Sequence, residues 1–202
     1  LILFTGGGLA LFALRANELR QGGVFAPVSR EGSLVLNNIL LVTATATVFV
    51  GTLYPLALEG LTGAKISVGA PYYNMTFVPL MIPLLLALPA GPLLAWKRGD
   101  LMGVMQRLFL AALLAVAAAL ATFVLANEQF SLAPFGMALS VWVMAGAVSE
   151  WLLRIKAGSA GLGEVARRAR NLPRSAYGTL LAHFGVGLMV AGIVGTTAYR
   201  QE

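Results

Sequence analysis

The sequence predicts an all-α fold, a polytopic transmembrane helical bundle of about six spans, the first of them truncated. Three observations lead to this fold class. Hydrophobic residues make up 58% of the 202 residues and charged residues only 11%, whereas a soluble domain carries roughly 25% charged residues. The apolar residues form long continuous runs, and the basic residues gather between alternate runs. Such a chain is expected to reside in a lipid bilayer.

The apolar runs define the expected spans. A helix needs ~20 apolar residues to cross a bilayer, and continuous runs of this length favour helices over the shorter, alternating strands of a barrel. The first run begins at Leu1 and is expected to be the truncated end of a helix. The chain is therefore interpreted as one transmembrane module, residues 1–202, of a longer polytopic protein. The six spans are expected at 1–14, 33–53, 75–96, 104–126, 131–153 and 177–198.

Basic residues predict the orientation of the bundle. Loops 15–32, 97–107 and 154–176 hold twelve lysines and arginines, against two in all other loops. Because such residues collect on the cytoplasmic side, these three loops are predicted to be cytoplasmic, and loops 54–74 and 127–131 periplasmic. The same asymmetry explains the net charge of +6, so lipid is expected as a partner and nucleic acid is not.

Prolines and glycines suggest where the helices end or bend. In the periplasmic loop they are expected to set turns. In the third span they are expected to kink the helix. A bent third helix could frame a cavity, or the kinks could be ordinary bundle shaping. The residues concerned are Pro55, Gly60, Gly63, Gly69 and Pro71 in the loop, and Pro79, Pro83, Pro89 and Pro92 in the span.

Charged pairs at helical spacing predict local structure in the cytoplasmic loops. Glu164 precedes Arg167 and Arg168 by three and four residues, a spacing that supports a short surface helix with ion pairs. Glu150 stands one turn before Arg154 and is interpreted as half of an interfacial ion pair rather than a proton carrier.

Few chemical motifs are present in the sequence. The chain contains no cysteine, which excludes disulfides, zinc–thiolate sites and thiol catalysis within it. The triplet at 6–8, Gly-Gly-Gly, lies in an apolar run without a nucleotide-binding unit after it, and indicates helix packing or a helix break. The catalytic residues, if there are any in this chain, cannot be assigned from such motifs.

The only histidine, His183, lies about six residues into the sixth span, at a depth of ~9 Å. An ionisable side chain at such a place is by default a functional-site hypothesis, and a neutral imidazole is a metal ligand. Small neighbours, among them Gly185 and Gly187, would let a helix or a flat ring approach. Four interpretations remain open: a hydrogen bond to a neighbouring helix, a haem ligand, proton transfer, and ion binding.

The second span offers polar side chains at a depth similar to that of His183. Asn37 and Asn38 lie ~7 Å from its cytoplasmic end, and Thr43 and Thr47 share a face one turn apart. These groups could line the same cavity as His183, or they could form hydrogen bonds between helices.

Several segments, taken together and in order, resemble the CcmF family of cytochrome c maturation proteins. The similarity extends over nearly the whole chain. The first three segments named here are specific, whereas the last would be weak alone. They are 29–38 (SREGSLVLNN), 51–55 (GTLYP), 65–74 (KISVGAPYYN), 91–97 (GPLLAWK) and 182–185 (AHFG).

The resemblance implies a haem lyase subunit in the bacterial inner membrane that attaches haem to apocytochrome c. It implies as partners the haem chaperone CcmE, CcmH and apocytochrome c. It also implies an intramembrane b-type haem that reduces the incoming haem, with quinol as an electron source, and His183 as one of the two axial histidine ligands. Gly185, Asn38, Arg30 and Arg174 are expected around this haem, the two arginines near its propionates.

The chain also departs from the pattern of that family. The tryptophan-rich segment, the outward-facing histidines and the second histidine ligand of the b-type haem are absent from these 202 residues. A single histidine cannot complete a bis-histidine site. Two other functions therefore remain as alternatives: a transporter or pore for haem or another small molecule, and a scaffold that docks assembly partners without catalysis.

Overall fold

The computed structural model of the chain describes residues 2–18, 23–125 and 131–198. Its regular elements are all helical in these ranges, which confirms the all-α class. Short 3₁₀ turns follow α1 at Ala16–Glu18 and α3 at Gly91–Leu93. The α-helices are α1 Ile2–Arg15, α2 Arg30–Thr62, α3 Ala70–Ala87, α4 Leu101–Arg107, α5 Phe109–Leu125, α6 Ala133–Arg154, α7 Leu162–Asn171 and α8 Arg174–Ala198.

Four described helical stretches are long and apolar enough to cross a membrane: α2, α3 with its following 3₁₀ turn, α6 and α8. The bent pair α4 and α5 supplies a fifth candidate. Helix α1 has 14 residues, about 21 Å at helical rise, and is shorter than the ~30 Å hydrocarbon core. The polytopic helical bundle is thus confirmed with four or five full spans, and the membrane side of each loop stays a prediction.

Helix α2 is longer than predicted and shortens the loop expected at 54–74. It continues through Pro55 and Gly60 to Thr62, because the segment Leu-Ala-Leu-Glu at 56–59 consists of strong helix formers. The helix ends at Gly63, which adopts a left-handed φ of 71° and donates its N–H to the Glu59 carbonyl. Only residues 63–69 separate α2 from α3, so the turns predicted at Pro55 and Gly60 are wrong.

The fourth apolar run is not one straight helix, as 104–126 predicted. Helices α4 and α5 meet at Leu108 with a bend of 62°, and α4 occupies much of the loop predicted at 97–107. Asp100 caps α4, since its carboxylate accepts the Gly103 N–H at 3.0 Å. Leu108 is fully buried and packs with Ala90 and Val104. The break thus places an apolar side chain in the core. Of the loop predicted at 127–131, residues 127–130 lie outside the described ranges.

The prolines predicted to kink the third span divide into two pairs. Pro79 and Pro83 lie inside α3, whereas Pro89 and Pro92 lie beyond its end. Pro89 has no backbone N–H and cannot donate the bond that would follow the one from Leu88 to the Leu84 carbonyl. The next N–H, that of Ala90, instead bonds the Ala87 carbonyl at 3.1 Å. The third span therefore ends in a tight turn.

The helices pack in two groups. Helix α2 pairs with α3, where Gly51 lies against the ring of Tyr72 and the Tyr72 hydroxyl donates to the Thr47 carbonyl at 3.0 Å. Helix α6 packs against both α5 and α8, and the buried Ser140 hydroxyl donates to the Gly187 carbonyl on α8 at 2.8 Å. The small residues at both contacts allow close approach of the helices.

A joint between α3 and α6 connects the two groups. The Trp142 indole N–H on α6 donates to the Leu86 carbonyl near the end of α3 at 3.1 Å. One turn further along α6, Gly146 lies directly against the ring of Pro89. This joint sets the position of the α2–α3 pair relative to α6 and α8.

The local ion pairs predicted in the basic loops are confirmed. Glu164 pairs with both Arg167 and Arg168 on the short helix α7. Glu150 pairs with Arg154 at the end of α6, with the Arg154 Nε at 3.1 Å from the carboxylate. In each pair the two residues stand one helical turn apart, a spacing that is visible in the sequence alone.

Gly146→Ala is expected to destabilise the joint. An added Cβ would overlap the Pro89 ring, which cannot rotate away, and overpacking of this kind costs about 1–3 kcal/mol. Thermal unfolding of the detergent-purified protein, followed by size-exclusion chromatography, measures the effect. Gly192→Ala on α8 is the matched control, because a Cβ there meets nothing within 4 Å. Equal melting temperatures for the two variants would contradict the proposed tightness of the joint.

Candidate functional site: a histidine-lined cavity between two helix groups

His183 lies on α8, one turn before Gly187, on the face of α8 that contacts α6. Its ring is half-buried. In the described part of the chain, neither ring nitrogen makes a hydrogen bond with protein. A hydrogen bond to a neighbouring helix, one of the four interpretations open from the sequence, therefore has no partner among these residues.

The His183 ring borders a partly open cavity of about 230 Å³. Its opposite walls come from α2, from the end of α3 and from the 3₁₀ turn, so that both helix groups contribute. Five of the twelve lining residues are leucines, and the polar members other than His183 stand near the start of α2. The lining residues are Arg30, Ser33, Leu34, Leu36, Asn37, Leu40, Leu84, Ala87, Leu88, Gly91, Pro92 and His183.

The start of α2 is fixed by a tight local network, and this network positions Arg30. The buried Ser29 caps the helix, its hydroxyl accepting the Gly32 N–H at 3.0 Å. The Arg30 N–H donates to the Ala95 carbonyl at 2.9 Å. The Arg30 guanidinium lies 5.1 Å from the centroid of the Trp96 ring, close enough for a cation–π interaction. Arg30 is therefore anchored at both its backbone and its side chain.

Glu31 and Gly32 complete this network. Glu31 accepts the Lys97 backbone N–H at 2.8 Å and approaches the Lys97 ammonium at 3.8 Å. These contacts hold Lys97 at a left-handed φ of 66°, which is unfavourable for a residue with a Cβ. Gly32 lies directly against the Pro27 carbonyl and leaves no space for a side chain. Segments 29–33 and 91–97 thereby form one joined unit at the rim of the cavity.

The structure separates the residues that the sequence placed around His183. Arg30 and His183 line the same cavity, whereas Arg174 is exposed at the start of α8 and does not line it. Asn38 is also exposed; its neighbour Asn37 lines the cavity instead. Successive residues of a helix point about 100° apart, so only one of two adjacent asparagines can face the cavity.

Gly185 does not provide the expected close approach. A Cβ added there meets nothing within 4 Å, whereas a Cβ added at Gly187 would lie 2.5 Å from Met144 Cγ and 2.9 Å from the Ser140 carbonyl oxygen. The two glycines lie on different faces of α8, and only Gly187 meets α6. The expectation that a helix or ring packs against Gly185 finds no support in the described residues.

The threonines of α2 are also absent from the cavity wall. The Thr43 hydroxyl donates to the Ile39 carbonyl and the Thr47 hydroxyl to the Thr43 carbonyl, at 2.8 and 2.9 Å. Their hydrogen-bonding capacity is satisfied within their own helix, as is common for threonine in apolar helices. Ser33, which the sequence analysis did not select, lines the cavity and contacts Gly91 on the opposite wall. Its position in the SREGS segment was the available signal.

The described residues contain no cluster of three or more histidine, cysteine, aspartate or glutamate side chains that could hold a metal ion. A metal at His183 would therefore need most of its ligands from another source. Fold and site together define a class: a polytopic membrane protein with one histidine in an apolar cavity between two groups of helices.

Comparison with known proteins finds relatives that match the whole chain. The chain is 56% identical to the cytochrome c-type biogenesis protein CycK of Rhizobium meliloti and 52% identical to CycK of Bradyrhizobium diazoefficiens, in both cases over all 202 residues. It is 40% identical over its full length to the cytochrome c-type biogenesis protein CcmF of Pseudomonas aeruginosa. Over its whole length the chain is similar to these CycK and CcmF cytochrome c-type biogenesis proteins.

The chain spans 30–31% of the length of these relatives. No protein-family model and no solved structure matches it.

The glycines of α8 give a direct test of the packing. Gly187→Ala is expected to lower stability by about 1–3 kcal/mol through overpacking against α6. Gly185→Ala is expected to be neutral or slightly stabilising, because alanine is favoured over glycine in a helix by about 0.5–1 kcal/mol. Thermal unfolding of both variants measures the difference. Destabilisation by Gly185→Ala equal to that by Gly187→Ala would show that Gly185 faces a packed neighbour after all.

Proposed function

We propose that this chain forms part of the membrane module of a haem lyase for cytochrome c maturation, in which His183 is one axial ligand of a b-type haem. The observation that carries this proposal is the environment of the His183 ring. It is half-buried, it borders a leucine-lined cavity, and neither of its nitrogens makes a hydrogen bond with the described protein. A neutral imidazole in such a place retains a lone pair for a metal.

The residues around the cavity fit a haem by their chemistry. Haem brings four equatorial nitrogen ligands of its own, so the protein needs to supply only axial ligands, which agrees with a lone histidine. Leu40, Leu84 and Leu88 offer apolar surface for a macrocycle, and Arg30 offers a cation for its carboxylates. The cavity of about 230 Å³ is smaller than the roughly 300–1,000 Å³ of complete ligand pockets, so a haem would extend through its open side.

Each residue then has a defined role. His183 would hold the iron through one ring nitrogen, the leucines would exclude water, and Arg30 would neutralise carboxylate charge in an apolar setting. A bound haem would supply one-electron transfer, for which we propose quinol as the electron source and the incoming haem as the acceptor. The chain has one histidine, so the second imidazole of a bis-histidine site would come from outside these 202 residues.

The names of the relatives support a proposal for the wider activity. The relatives are named cytochrome c-type biogenesis proteins, and we propose that this chain serves covalent attachment of haem to apocytochrome c in the bacterial inner membrane. Its proposed partners are the haem chaperone CcmE, CcmH and apocytochrome c. The chain gives no candidate for the bond-forming step itself, and its proposed contribution is the electron-carrying site.

His183→Gly in the purified full-length protein is expected to lose most of its b-type haem absorbance, because the iron loses an axial ligand. Addition of imidazole to this variant should restore the low-spin spectrum, since the vacated space accepts a free ligand. The absorbance spectra of the oxidised and reduced protein, with haem content per polypeptide, measure both effects. Unchanged haem content and an unchanged low-spin spectrum in His183→Gly would remove His183 as a ligand.

Arg30→Gln is expected to weaken haem retention while leaving the axial ligation intact. The loss of one charge-assisted hydrogen bond costs about 1.5–3 kcal/mol, or roughly ten- to a hundred-fold in affinity. Haem transfer to an apo-acceptor protein measures retention. Arg174→Gln is the matched control, because Arg174 carries the same charge but lies outside the cavity wall. Equal retention in the two variants would exclude contact between Arg30 and the haem carboxylates.

A further inference from the structure

A second cavity, of about 320 Å³, adjoins the His183 cavity at the end of the bundle where the basic loops lie. Arg30 and Pro92 line both cavities. The wall of the second one is strongly cationic along one part and apolar along another. Its lining residues are Arg30, Pro92, Leu93, Arg107, Glu150, Leu153 and Arg154.

Three separate helix ends bring the arginines of this cavity together. Arg30 begins α2, Arg107 ends α4, and Arg154 ends α6. Each is distant from the others in sequence, so the fold and not a local run of basic residues creates the cluster. Arg107 directly precedes the 62° bend between α4 and α5.

The charges in this cavity do not balance. Glu150, with 5% of its surface exposed, pairs with Arg154. Arg30 faces the ring of Trp96, which carries no net charge. Within the described ranges, Arg107 makes neither an ion pair nor a side-chain hydrogen bond. Two guanidinium charges therefore lack an anionic partner.

The shape of the cavity wall suggests the class of anion. Pro92, Leu93 and Leu153 lie beside the arginines, so a ligand would meet cations and apolar surface at once. A phospholipid has this character, with a phosphate at the membrane surface and acyl chains directed into the bilayer. Guanidinium groups bind phosphate through paired N–H donors. Basic pockets between transmembrane helices on the cytoplasmic side bind anionic head groups, and the basic loops predict that this end of the bundle is cytoplasmic.

We propose that the cavity formed by Arg30, Arg107 and Arg154 is a binding site for the phosphate head group of an anionic phospholipid. Arg30 and Arg107 supply the unpaired charges, Arg154 is partly neutralised by Glu150, and the three apolar residues contact the first carbons of the acyl chains. This site requires no ligand at His183, although it shares Arg30 with the proposed haem site.

The proposal is tested by native mass spectrometry of the full-length protein titrated with phosphatidylglycerol or with phosphatidylcholine. Phosphatidylglycerol is expected to bind preferentially, and Arg107→Gln to weaken it about fivefold, the effect of one surface cation near lipid. Arg98→Gln is the matched control, since Arg98 is exposed near the same end of the bundle but does not line the cavity. Melting temperatures of both variants establish that they fold.

The outcomes separate lipid from other anions. Equal affinity of the two variants for phosphatidylglycerol would overturn the proposal, as would equal binding of the two lipids by the unaltered protein. Competition by millimolar inorganic phosphate as effective as that by phosphatidylglycerol would reduce the site to a free-phosphate site and overturn the lipid assignment. A shift of haem reduction potential in Arg107→Gln, with lipid binding unchanged, would instead assign the cavity to haem carboxylates.

Discussion

The joint between α3 and α6 is the constraint on which the rest of this structure depends. Helix α3 ends just before Pro89, which has no backbone N–H to donate. The Leu86 carbonyl then accepts the Trp142 indole N–H, and Gly146 leaves space for the Pro89 ring. The buried cluster of Ala90, Val104 and Leu108 adds an apolar contact beside this joint. Without this joint, the leucines near the end of α3 would not lie opposite His183.

The sequence segments that indicate the family form matched pairs in space. The SREGS segment meets GPLLAWK through the Arg30–Ala95 and Glu31–Lys97 hydrogen bonds. The GTLYP segment meets APYYN where Tyr72 lies on Gly51. Packing explains the residues of each pair, which form a helix cap, a buried contact, or a glycine position without space for a side chain. These segments therefore establish the fold of this membrane region, and the chemical interpretation depends on the few side chains that packing leaves without partners.

Features that depend on neighbours along the chain could be predicted from the sequence. Apolar runs longer than a bilayer requires produce helices, and acidic and basic residues one turn apart, such as Glu164 and Arg168, form pairs. The sequence could not predict which residues face a cavity or a neighbouring helix, because this depends on the rotation of each helix about its axis. Helix α8 is apolar around most of its circumference, so no periodicity distinguishes Gly185 from Gly187. The choice between Asn37 and Asn38 likewise depends on how α2 turns toward α3, which only tertiary packing determines.

The position of Arg30 links the two cavities electrostatically. Its backbone is held by Ala95, its side chain lies over Trp96, and its guanidinium borders both the leucine-lined space beside His183 and the cationic space beside Arg107. In a low-dielectric setting such a charge acts over several ångströms. An anion in the cationic cavity would reduce the positive potential at the His183 cavity, and at the haem site proposed there it would disfavour the carboxylates and favour the oxidised iron. The contacts around Ser29 and Gly32 therefore hold both the start of α2 and the position of Arg30, whose charge borders both cavities.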